Sequence, residues 1–74
     1  MKRYIFDYRK LKGRIKEIFG SQKKFAEAMG ISTATLSNKL SNKVFFTQKE
    51  IQTAAILLGL TSGSISTYFF TLQV

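Results

Sequence analysis

Few residues of this chain can do acid–base or metal chemistry. Its carboxylates are Asp7, Glu17, Glu27 and Glu50, no two of them close in sequence, and there is no histidine and no cysteine. That removes the usual general base at neutral pH and the commonest metal ligand. It also removes any thiolate metal site or disulfide staple. The inventory argues against an enzyme, and no metal or cofactor is expected. What remains is hydrogen bonding and charge. Hydrogen-bonding groups gather in Thr33-Ala34-Thr35-Leu36-Ser37-Asn38-Lys39, and Lys and Arg number 12 for a net charge of +8. A small basic chain attracts polyanions, chiefly nucleic acid or an anionic membrane surface.

The elements that must carry these groups follow from caps and periodicity. At 74 residues the chain makes one domain, residues 1–74, and a domain of this size buries only about 60% of its unfolded surface. Leu11, Ile15, Ile18 and Phe19 fall at helical spacing, with Asp7 placed to accept from the first-turn N–H groups and Gly20 to end the helix. Ser21 caps a second helix, Gln22 to Met29, whose inner stripe is Phe25, Ala26 and Met29. Gly30 stops it, Ile31 is a single apolar plug, and Ser32 caps a third helix from Thr33 to Leu40 with Leu36 and Leu40 inside. Thr47 and Glu50 form the capping-box pattern before a fourth helix, Gln48 to Leu58, which Gly59 ends. Ile65 to Phe69 can form one further turn. Met1–Phe6 and Tyr68–Val74 are rich in strand formers, so an irregular or short extended N-terminus is expected, with pairing of the two ends as the alternative. The fold class is all-α, with four to five helices.

Two short helices joined by a tight glycine turn are the helix-turn-helix geometry. There the first helix spans the DNA backbone and the second lies in the major groove. Ala26 is then small because the helices cross near it, Gly30 supplies a positive φ, and Ile31 and Leu36 pin the second helix to the core.

On Gln22, Ala26, Gly30, Ile31, the Ser32 cap and Leu36, the stretch resembles the Cro/repressor-like helix-turn-helix family of phage and bacterial regulators. "LKGRIKEIFGSQKKFAEAMGIS", "TLSNKL" and "YFF" also look like a group of small prophage-encoded proteins from Gram-positive bacteria. The family resemblance implies a compact lambda-repressor-like domain that binds operator DNA as a transcriptional regulator. It implies that Thr33, Ala34, Ser37 and Asn38 face the major groove, Asn38 suited to adenine and Ala34 and Thr33 to a thymine methyl. Gln22, Lys23, Lys24, Thr35, Lys39 and Lys43 would meet phosphate and set register. One departure stands out. Family members commonly have an apolar residue where this chain has Lys39, with Leu40 following. Either the helix is slightly rotated or Lys39 reaches past its neighbours to a phosphate.

Plainer readings stand beside these. Ser32 is an N-cap whatever else it does, Thr35 can be a solvated surface residue, and Arg9–Lys16 reads as a solvated helix face. Phe45 and Phe46 read as core and turn anchors rather than base-stacking platforms. Tyr4, Phe6, Tyr68, Phe69 and Phe70 are either core or an exposed patch that drives a homodimer on DNA. The competing function is a protein-interaction module, antirepressor or antitoxin-like, that keeps the helix-turn-helix fold; its mark would be an acidic or apolar recognition face. No apolar run approaches the ~20 residues of a spanning helix, and Met1–Phe6 is too short for a signal peptide. A cytoplasmic chain with no membrane partner is expected.

Overall fold

The structure, a computed structural model, describes residues 5–73. Expectations for Tyr4 and the first residues of the N-terminal segment lie outside the described residues. Among the described residues five α-helices follow one another: α1 (Arg9–Phe19), α2 (Gln22–Met29), α3 (Thr33–Leu40), α4 (Gln48–Leu58) and α5 (Ile65–Phe69), with a 3₁₀ turn at Ser62–Ser64 before α5. The all-α expectation holds. No helix among the described residues is long and apolar enough to cross a membrane.

The boundaries are local chemistry. Ser21 Oγ accepts from Lys24 N–H at the start of α2, and Ser32 Oγ accepts from Thr35 N–H at the start of α3. Thr47 and Glu50 make both bonds of the capping box, Thr47 Oγ1 from Glu50 N–H at 3.1 Å and Glu50 Oε1 from Thr47 N–H at 2.8 Å. Gly30 closes α2 at φ 77°, a backbone conformation that costs an L side chain, and its neighbour Ile31 donates to Ala26 O at 3.0 Å. α1 departs from expectation by one residue. Its cap position is Tyr8, which makes no side-chain cap bond. Asp7 still accepts from a first-turn N–H, that of Arg9, at 3.0 Å.

The core is Leu11 and Ile15 of α1, Phe25 and Ala26 of α2, Leu36 and Leu40 of α3, and Ala54 and Leu58 of α4, closed by Tyr8, Phe46 and Phe69. Burying each large side chain contributes roughly 1.5–3 kcal/mol, so these residues dominate what holds α3 in place. Ile18 is a correction: it stands 45% exposed, because Leu11 and Ile15 already fill the inner stripe and Phe19 packs edge-on to Phe25 at the helix end. Phe45 and Phe46 do not act as a pair. Phe46 is buried with its ring edge-on to Tyr8 and Phe69, while Phe45 is 61% exposed.

The two ends meet. Phe6 and Leu72 form an isolated antiparallel bridge. Asp7 N–H donates to Thr71 O at 2.7 Å, and Gln73 N–H donates to Ile5 O at 2.8 Å. Asn42, in the left-handed region at φ 67°, reinforces the N-terminal side. Its amide accepts from Phe6 N–H at 2.8 Å and donates to Phe6 O at 3.0 Å.

Candidate functional site

α2 and α3 are short, packed against each other and joined by Gly30, Ile31 and Ser32. Ala26 and Leu36 are fully buried between them and the rest of the core, so no side chain props the two helices apart at Ala26. Burial of Leu36, Lys39 and Leu40 leaves the other residues of α3 facing outward. Thr33, Ala34, Thr35, Ser37 and Asn38 are all exposed. Thr35 is partly spoken for, because Ser32 Oγ donates to its hydroxyl at 2.8 Å. The side chains of Ser37 and Asn38 make no hydrogen bond among the described residues. They are polar groups presented to solvent without an internal task. Asn38 has a second role through its backbone: its carbonyl accepts from Lys43 N–H at 2.9 Å and from Ser41 Oγ at 3.2 Å, closing the turn after α3.

Of the residues assigned to phosphate, Gln22, Lys23 and Lys24 stand exposed at the first turn of α2, and Lys43 stands exposed just beyond α3. Lys39 does not belong with them. It is only 5% exposed. Its ammonium lies 2.9 Å from Glu50 Oε1 and donates to Phe45 O at 3.1 Å, beside the Phe46 ring. The phosphate role for Lys39 is therefore withdrawn. The side chain occupies an inward slot, and its charge is neutralised by the carboxylate that also caps α4. Burial raises the Glu50 carboxyl, but the Thr47 N–H and the Lys39 ammonium outweigh it and hold it below its ordinary value.

Three of the four carboxylates pair with a base, and the fourth, Glu27, stands exposed on α2. Asp7 pairs with Arg9 at 2.8 Å, Glu50 with Lys39, and Glu17 with Arg14 at 2.6 Å. The hydrogen bonds from the Arg9 side chain, more than its backbone N–H, draw the Asp7 carboxyl down to about 2. Sequence reasoning missed two features here. One is the pairing of Asn42 with the backbone of Phe6, although an Asn is a residue that tolerates the left-handed conformation it adopts here. The exposure of Phe45 was not readable, since Phe45 and Phe46 are identical neighbours.

The arrangement is that of a small helical domain with one short, polar helix whose uncharged face is exposed. The chain belongs to the family described as a protein of unknown function, DUF739, whose model matches residues 4–72. Among solved structures it is similar to the solution structure of the modulator of repression (MOR) of the temperate bacteriophage TP901-1 from Lactococcus lactis. The two are 45% identical, the match covers 88% of each chain, and the TM-score is 0.78. No curated protein matches.

Proposed function

We propose that this chain is a small transcriptional regulator of temperate-phage type that binds double-stranded operator DNA with α3 in the major groove. The observation that carries the reading is the outward face of α3. Ser37 and Asn38 present unbonded polar groups beside Thr33 and Ala34, on a helix capped and pinned by the core, in a chain of net charge +8. Side chains of these types match the donor and acceptor pattern of base edges. Gln22, Lys23 and Lys24 at the start of α2, with Lys43, meet phosphate and fix register; the free N–H groups of that helix end favour an anion. Thr35, whose hydroxyl already accepts from Ser32, contributes at most a phosphate contact. The similarity to a protein titled a modulator of repression supports a regulatory role, and the resemblance to Cro/repressor-like proteins supports the docking mode. Occupying an operator would block polymerase sterically, and a dimer on DNA would read two half-sites about one helical turn apart.

The test is a binding titration against duplex DNA flanking the chain's own gene, beside a scrambled duplex, at two salt concentrations. A preference of ~10³ or more for the flanking DNA that survives the higher salt is expected of base readout. Equal and steeply salt-dependent binding to both duplexes is phosphate contact alone and would overturn the reading.

A further inference from the structure

The structure assigns a second binding surface, distinct from the outward face of α3. We propose that the apolar groove between the 44–46 loop and the paired termini docks a protein segment that is apolar along one face and flanked by carboxylates. The groove has a volume of about 230 Å³ and is lined by Phe6, Phe45, Phe46, Ile51, Phe69 and Phe70 among others. That is room for one or two side chains rather than for a cofactor. Its rims are held open by aromatic side chains that face water. Phe45 is 61% exposed and Phe70 51% exposed, and their rings stand edge-on to Phe6 at 6.2 and 6.0 Å. Val44 and Leu72, also exposed, extend the same segments. An exposed patch of this kind, apolar and rich in aromatic side chains, marks an interaction site on a small domain.

The display of Phe45 is built rather than incidental. The buried Lys39 ammonium bonds the Phe45 carbonyl from inside. That bond turns the Phe45 backbone inward while its neighbour Phe46 fills the core. Without the bond, a half-exposed phenylalanine beside an apolar interior would gain by folding in.

Charge selects the occupant. Lys43 directly precedes Val44, and Lys12 shares the adjoining cleft with Phe6 and Leu72. Neither lysine has an ion-pair partner among the described residues. The carboxylates of these segments, Asp7 and Glu50, are already paired with Arg9 and Lys39. The rim is thus positive, and a second copy of a +8 chain is repelled from it while an acidic segment is attracted. The proposal does not depend on DNA binding.

The experiment is an NMR titration of the isotope-labelled full chain with two synthetic amphipathic peptides. They share a leucine and phenylalanine face and differ in having Glu or Lys at every other position. The Glu peptide is expected to shift resonances of Phe45, Phe70 and Ile51. The Lys peptide is expected to leave them unmoved, and Phe45→Ser and Phe70→Ser are each expected to weaken the Glu peptide at least tenfold. Both side chains are more than half exposed, so these variants keep the fold. Equal binding of the Glu peptide to wild type and Phe45→Ser would overturn the proposal, as surface charge alone would explain it. So would no binding. Dimerisation of the wild type that Phe45→Ser abolishes in sedimentation would make the occupant a second copy. Displacement of the peptide by a single-stranded oligonucleotide that shifts the same rings would make it a nucleic acid. Unchanged duplex affinity in Phe45→Ser separates this surface from the α3 reading.

Discussion

At the scale of single residues, the outward and inward sides of α3 make opposite predictions. Asn38 has an unbonded amide and a solvated position. Asn38→Ala is expected to lower affinity for the operator by about 1–3 kcal/mol and leave random duplex almost unaffected, read from paired titrations. Lys43→Ala is expected to weaken both duplexes alike and flatten the salt dependence. Lys39 acts through stability instead. Removing one partner of a buried ion pair typically costs 3–5 kcal/mol. Glu50 retains some solvent and its bond from Thr47, so Lys39→Ala is expected at about 2–3 kcal/mol, measured by urea unfolding. Lys39→Met fills the same slot without charge and is expected to recover more than half of that loss. Equal loss in both variants would show that the charge, not the volume, matters.

At the scale of elements, most of α1 to α4 was legible because their boundaries are set within a few residues. Ser21, Ser32 and Thr47 cap from the adjacent position, and Gly20, Gly30 and Gly59 close from the next one. Such signals survive in a linear reading. The rotation of α3 was also half legible: Lys39 in an apolar slot announced that something unusual happens there. The missing fact was its partner, eleven positions away, which a capping box identifies only as a local acceptor. The choice between Phe45 and Phe46, and the inward turn of Tyr8, depend on where α5 lands and so could not be read locally. Gly30 tests the turn between α2 and α3. A Cβ there would meet nothing within 4 Å, so Gly30→Ala isolates the cost of the positive φ. That is expected at about 1–2 kcal/mol, or a fall in melting temperature on the order of 4–16 °C for a domain this small. A neutral outcome would mean that the turn relaxes to another conformation.

At the scale of the whole molecule, pH dependence comes from groups on several segments. Asp7, held near 2 by Arg9, and Glu50, held below its ordinary value, both lose protons more readily in the fold than in the unfolded chain. Their stabilisation is complete above the ordinary carboxylate values of 3.8 and 4.5 and is lost as pH falls through the folded values. Tyr8 has the opposite sign: burial raises its phenol, so its contribution is complete below its ordinary value of 10.0 and is lost above it. The urea midpoint is therefore expected to be level between about pH 5 and about pH 9 and to fall on both sides. In Asp7→Asn the acid limb should become shallower. An unchanged acid limb would place the loss on Glu50.

The closure of the termini has a consequence for synthesis. A nascent chain that has emerged only as far as Gly59 already contains α1 to α4, including the whole of α3. It lacks Phe69, which seals the core against Phe46, and it lacks Thr71 and Gln73, whose backbones bond residues 5–7. Until residue 73 clears the ribosome, Phe6 has no bridge partner and the aromatic interior stays open on one side. The core is therefore expected to close in one late step, after translation of α3 and not together with it.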